Sequence, residues 1–289
     1  MTNTVGNQQT RAVLAVAAGA AIIGFAPIGM RLSELGPMAT GFWRFAFALP
    51  GLAILAAMAP VDRRPKKVGT LLAAGVCFGL DLTLWHAALV LTTVLNATLL
   101  SNMTPILAAA AGWLFLRERV SWSFAMGAGV ALAGAGLLSA SRASANGGAL
   151  QGDLLALASA VWYAAYLVIL REARRGVDVR VAMFVTTIAS LAVAAVATFA
   201  LGEAWLPKTA HGWLVLIGLG LLVHTLGQGL IAYGVGQLPI ALSTVLLWVQ
   251  PVAAAALSWV LFGEALGPLA FAGAVLVLGG VWIVQRGRA

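Results

Sequence analysis

The residues in this chain that could do chemistry are polar side chains standing inside long apolar runs. An ionised side chain at the centre of a membrane helix costs roughly 2.5–3.5 kcal/mol on insertion scales, so each should face a cavity or a partner. Asp81 lies near the middle of one such run; at about 100° per residue, Phe78 and Trp85 share its face and His86 is turned roughly 140° away. Asp81 suits a substrate ammonium or a proton, and equally a hydrogen bond to a neighbouring helix. For His86, substrate contact and interhelical packing stand level. His224 and Gln228 are four residues apart, hence on one face, where they suit either a ligand's polar end or polar glue between helices. Thr98, Ser101, Asn102 and Pro105 form a stripe that Thr244, Trp248 and Pro251 answer later in the chain. Ser159, Trp162, Tyr163 and Tyr166 follow helical spacing; Trp162 and Tyr163 are candidates for a cavity wall, although rings so spaced also serve as packing.

The candidate substrate-binding set is therefore Asp81, Trp85, His86, Asn102, Trp162, Tyr163, His224, Gln228 and Trp248. Pro105 and Pro251 free backbone carbonyls and serve as hinges or fixed bends. Arg44, the one basic residue inside a span, lies one to two turns from an end, where it can snorkel or pair with Glu34. Its reading is structural, with a substrate carboxylate as the alternative. Neither catalysis nor a metal is expected, and no cofactor: His86, His211 and His224 lack paired ligand spacing, no HExxH is present, and Cys77 is the single cysteine. A membrane-embedded enzyme is thus a remote alternative.

The elements that must position these residues follow from composition. The chain has 289 residues, 62% hydrophobic and 9% charged, with mean hydropathy +0.99. A soluble domain has about 25% charged residues, and a helix needs about 20 apolar residues to cross a bilayer. Ten spans fit, near 12–31, 39–59, 68–90, 94–116, 121–140, 151–170, 181–201, 212–235, 240–262 and 267–285. The net charge of +8 is spread over short loops without an aromatic-interleaved basic face, so nucleic acid is not the expected partner. The lipid bilayer is. With a cytoplasmic N-terminus, Arg63, Arg64, Lys66, Lys67, Arg117, Arg171, Arg174, Arg175 and Arg180 fall inside, while Arg31, Arg142 and Lys208 fall outside. Both termini are then cytoplasmic. Trp122, Trp205, Trp213 and Trp282 lie near span ends, as an interfacial belt requires, and Gly75 and Gly79 make a face for close packing within a monomer or a dimer.

At a constant shift of 146, Thr98, Leu100, Pro105, Trp113, Glu118, Gly127 and Gly134 fall on Thr244, Leu246, Pro251, Trp259, Glu264, Gly273 and Gly280. Spans four and five thus match nine and ten. A repeat of five spans must be inverted in the membrane, so residues 1–146 and 147–289 form two halves of opposite orientation. Inverted repeats are a common build for secondary transporters that alternate access around a midplane site. Glu118 and Glu264 read as architecture. The polar pair His224 and Gln228 falls on Phe78 and Leu82, and Trp248 on Asn102; such asymmetry suits one asymmetric ligand.

These features make the chain resemble the drug/metabolite transporter superfamily, in its ten-helix EamA-type exporter branch. The motifs are Arg44-Phe45, Pro105, Phe115-Leu116-Arg117-Glu118, Gly127 and Gly134, then Gly152-Asp153-Leu154, Pro251, Phe262-Gly263-Glu264 and Gly273. A Trp-Gly pair often seen in the first span reads Ile23-Gly24 here, which leaves an aromatic wall to other spans. The abundant Trp and the pair Trp85-His86 make it similar, within that branch, to YddG-type exporters of aromatic and other amino acids. The resemblance implies efflux of a small molecule across a bacterial inner membrane through a multi-pass protein, monomeric or not. The rival transport reading is a multidrug or quaternary-ammonium exporter, with cation–π contacts to the aromatics.

Overall fold

The computed structural model describes residues 2–60, 68–92, 97, 100–118, 121–140, 150–262 and 267–286. Among them every regular element is helical. Thr98 and Glu264 lie outside the described residues. Seven stretches are long and apolar enough to cross a membrane: Gln8–Leu32, Pro37–Ala57, Val68–Leu91, Leu150–Ala173, Val179–Ala200, Ala210–Val235 and Ile240–Leu261. Three shorter apolar helices are Thr104–Leu116, Trp122–Leu137 and Pro268–Val284. Large apolar side chains such as Val90, Phe115, Phe199 and Val260 stand exposed on the outside of the bundle. Water would penalise that surface and lipid does not, so this is a multi-pass membrane protein.

Three of the long stretches are not continuous α-helices. The first breaks at Gly24 and Phe25 into α1 (Thr2–Ile23) and α2 (Ala26–Leu32), with Pro27 in the first turn of α2. Then come α3 (Pro37–Ala57), α4 (Val68–Leu91), α5 (Thr104–Leu116), α6 (Trp122–Ala140), α7 (Leu150–Ala173) and α8 (Val179–Ala200). The next stretch begins as α9 (Ala210–Gly218), loosens into a π-helix over Leu219–Gln228 and resumes as α10 (Gly229–Val235). A second break, at Leu247 and Trp248, separates α11 (Ile240–Leu246) from α12 (Val249–Phe262); α13 (Pro268–Arg286) is last. Wide or broken turns inside a span mark places where the backbone does something other than cross.

The helices pack in matching pairs. α4 lies against α7 and α8, and the stretch of α9, the π-helix and α10 lies in the same way against α1 and α3. α5 rests on α7 as α12 rests on α1, while α6 pairs with α13 and α3 with α8. The α6–α13 seam is made by glycine. A methyl added at Gly127 would stand 2.6 Å from the Gly280 carbonyl oxygen, and one at Gly134 would stand 2.6 Å from that of Gly273. Gly75 and Gly79 do the same work inside this chain: the Ser190 hydroxyl donates to the Gly75 carbonyl at 2.8 Å, and a methyl on Gly79 would meet Val193 Cβ at 2.7 Å. Backbones this close gain dispersion contacts that lipid cannot supply.

Loop carboxylates cap the helix starts. Glu34 accepts the backbone N–H groups of Lys208 at 2.7 Å and Thr209 at 3.2 Å, together with the Thr209 hydroxyl, just ahead of α9. This corrects the expected Glu34 partner, which is not Arg44. Glu203 accepts the Ala39 N–H at 2.8 Å in the first turn of α3. Asp178 caps α8, accepting the Arg180 N–H at 2.9 Å.

Replacing Gly134 by Leu forces α6 and α13 apart and should cost about 1–3 kcal/mol. Gly129, with nothing within 4 Å of an added Cβ, should accept Leu freely. Thermal unfolding of the two variants in detergent checks the contrast. The Thr209 hydroxyl and then the Lys208 N–H hold the Glu34 carboxyl below its ordinary pKa. Its stabilisation is therefore complete at neutral pH and disappears as pH falls through the lowered value. Wild-type unfolding temperature should drop more between pH 7 and about pH 3 than that of Glu34→Gln, and equal drops would remove Glu34 from this role.

Candidate functional site

Two of the proline-bearing breaks, the turn at Asn102 and Met103 ahead of Pro105 and the turn at Leu247 and Trp248 ahead of Pro251, meet inside the bundle. Pro105 has no N–H to offer the carbonyl one turn back, at Ser101; the Thr104 hydroxyl donates to that oxygen instead, at 2.8 Å. Past the turn at Asn102 and Met103, the Ile106 N–H bonds Met103 at 3.0 Å, which leaves the Asn102 carbonyl outside the helical ladder. The Trp248 indole Nε1–H donates to it at 3.2 Å. Near Pro251, the Leu247 carbonyl accepts the Gln250 N–H at 2.9 Å. Each break is thus closed by a short-range bond, and one indole ties the two together.

Beside them lies a cavity of about 380 Å³, within the range of small-molecule sites. Six of the nine expected residues line it: Asp81, Trp85, Asn102, Tyr163, Gln228 and Trp248. Pro105 and Pro251 line it too. The other three stand elsewhere. Trp162 is 37% exposed on the outer face of α7, one residue and about 100° from Tyr163. His86 turns to α3, where a methyl on Gly41 would stand 3.5 Å from its Cε1. His224 is buried behind the wall, its Nε2 2.8 Å from the Thr187 hydroxyl. That hydroxyl also bonds the Met183 carbonyl at 2.6 Å, and His224 Nδ1 is left without a partner.

The wall itself is aromatic. Phe78 stacks on Tyr166 at 4.7 Å and on His224 at 5.8 Å, and Tyr163 stacks on Tyr166 at 5.8 Å. Gln228 donates to the Tyr166 hydroxyl at 3.2 Å. Polar groups interrupt this wall at a few points: Asp81 Oδ1 accepts the Ser159 hydroxyl at 2.6 Å, while Ser101 Oγ, Asn102 Nδ2 and Arg44 Nε have no hydrogen-bond partner.

Arg44 is the main departure from the sequence reading. It does not snorkel to an end; it is 7% exposed and lines the cavity. Ile23, Gly24, Pro27 and Met30 at the α1–α2 break also line it and were not expected. The signal was there in Gly24 and Pro27, which together interrupt a helix. Gly24 lets α12 approach, since a methyl there would stand 2.8 Å from Ala253 Cβ. With Ile23 at this place, the rings around the cavity come from Phe78, Trp85, Tyr163 and Trp248.

The cavity lies toward one end of the bundle, the end that carries Met30 and Leu89. The other end is shut. Arg117, with φ 55°, ends α5 in a left-handed turn, and Glu118 beyond it ion-pairs with Arg171 at the end of α7. Glu118 also accepts the Ile240 N–H at the start of α11, at 3.0 Å, and Arg171 donates to the Leu238 carbonyl at 2.8 Å.

The sequence profile of the EamA-like transporter family matches residues 10–140 and, separately, 150–286. The chain belongs to that family. Among the relatives of an EamA-like chain such as this is a "Probable terminal-alkyne amino-acid exporter" of Streptantibioticus cattleyicolor, 28% identical over 202 residues. That match covers 66% of this chain and 64% of the relative. A solved structure, described only as the crystal structure of a protein, has TM-score 0.82 and 22% identity, covering 97% of this chain and 99% of that one. At that identity the likeness is one of fold.

Removing either partner of the Glu118–Arg171 pair strands a largely buried charge and should cost about 1–3 kcal/mol. Glu118→Ala, Arg171→Ala and the double variant, compared by thermal unfolding, should give a double loss clearly smaller than the sum. Additive losses would mean that the two residues act apart.

Proposed function

We propose that this EamA-family protein exports amino acids, aromatic and other partly apolar ones foremost, across a bacterial inner membrane by alternating access. The observation that carries the reading is the cavity: an aromatic-walled space of about 380 Å³, set at three helix breaks and holding a few separated polar groups. Phe78, Trp85, Tyr163 and Trp248 suit an apolar side chain, and Asp81, Asn102 and Gln228 suit a polar head. The relative named as a probable amino-acid exporter supports the same class. Against the quaternary-ammonium reading stands Arg44, a cation in the same cavity.

The proposed architecture is ten spans in two inverted halves, 1–146 and 147–289, with both termini cytoplasmic and a monomer as the working unit. Residues 146 apart support it by touching one another. Phe78 stacks on His224, and Trp248 bonds Asn102, as pairs near a pseudo-two-fold axis must. The contact of Gly127 with Gly280 becomes that of Gly273 with Gly134 when the halves are exchanged. In this topology Met30 and Leu89 point the cavity outward, and Glu118 with Arg171 closes the cytoplasmic end. Export then requires that closure to open and the outer side to close, each half taking the other's present arrangement.

Uptake of labelled phenylalanine or tryptophan into liposomes containing the purified protein should be saturable, and its response to an imposed pH gradient decides whether a proton is coupled. Trp248→Ala should lower the rate about tenfold or more by removing a cavity wall and the bond between the breaks, while Trp162→Ala should leave it unchanged. Absence of both uptakes beside saturable movement of a lipophilic cation would overturn the reading.

A further inference from the structure

Arg44 and Asp81 are a basic and an acidic side chain buried in one cavity, yet they make no contact with each other. Both line the space, Arg44 at 7% and Asp81 at 9% exposure, on α3 and α4. Among the described residues neither takes part in an ion pair within 4.0 Å. Arg44 Nε has no hydrogen-bond partner, and Asp81 accepts one hydrogen bond, from Ser159. Charges taken out of water are costly unless paired, and direct pairing is the ordinary solution. Two held apart in a shared cavity leave room for a ligand that pairs with each.

Resting on the amino-acid reading above, we propose that Arg44 and Asp81 form a split clamp for a zwitterion. Arg44 takes the α-carboxylate and Asp81 the α-ammonium, so a substrate must carry both groups, free and on one small head. The site then stays neutral when filled: one protein cation and one anion meet one of each from the ligand. A plain amine would satisfy Asp81 but place a second cation near Arg44. A plain acid would satisfy Arg44 and leave Asp81 facing another anion. Sites built around buried polar groups reject ligands that leave one unpaired far more strongly than apolar pockets reject a missing methylene. The unpartnered Ser101 Oγ and Asn102 Nδ2 add hydrogen-bonding capacity at the α5 break. Trp85, one turn beyond Asp81 toward Leu89, directs the ligand's side chain to the open end. The clamp reads the head, and the aromatic wall reads the tail.

Competition with labelled L-phenylalanine for binding to the purified full chain tests this, using phenethylamine, 3-phenylpropionate and phenylalanine amide. Each should compete at least about tenfold more weakly than unlabelled phenylalanine. In Arg44→Gln, direct binding should rank phenethylamine above phenylalanine. In Asp81→Asn it should rank 3-phenylpropionate above it. A misfolded protein loses all ligands and cannot invert their order. If either variant does not fold, the wild-type series decides alone. Wild-type protein that binds phenylalanine but accepts amine and acid equally well would overturn the clamp and leave the amino-acid reading standing. Wild-type protein that binds no phenylalanine while moving a lipophilic cation would overturn that reading itself.

Discussion

A backbone that leaves the helical ladder within a membrane span finds no partner in lipid, so its freed groups must be satisfied by the protein or face a cavity that the protein encloses. Much of this structure follows from how two such breaks are satisfied. The Asn102 carbonyl, released by the turn ahead of Pro105, is taken by the indole of Trp248, which sits on the turn ahead of Pro251. The breaks therefore have to face each other, and the side chains beside them have to border one space. Ser101, Asn102, Leu247 and Gln250 reach the cavity because the helices stop there.

The glycine seams fix the rest of the frame. α6 and α13 meet at backbone contact, and none of their residues lines the cavity. α4 meets α8 through Gly75 and Gly79 on one side and offers Phe78, Asp81 and Trp85 to the cavity on another. One helix thus carries both a rigid face and a chemical one.

The apolar runs, the shift of 146 and the polar residues stranded inside spans were legible in the sequence, because each depends on composition or spacing alone. Asp81, Asn102 and Trp248 could be picked out as exceptions to an apolar background. Facing was harder to read. In α7 nearly every position is apolar or aromatic, so periodicity does not say whether Trp162 or Tyr163 turns outward, and lipid accepts either. Arg44 was misplaced because its distance from a span end permits snorkelling, whereas the space that receives it is built by residues from α1, α4, α5 and α12. The π-helix over Leu219–Gln228 has no composition of its own. Within it His224 stacks behind Phe78, while Gln228 reaches the cavity wall.

The Phe78–His224 stack has a mechanical meaning apart from recognition. Two flat rings 5.8 Å apart and 19° from parallel can swivel and slip over one another while staying in touch. Small relative movement of α4 and the π-helix is therefore cheap at this contact, whereas the backbone-close glycine seam between α6 and α13 resists any such slip.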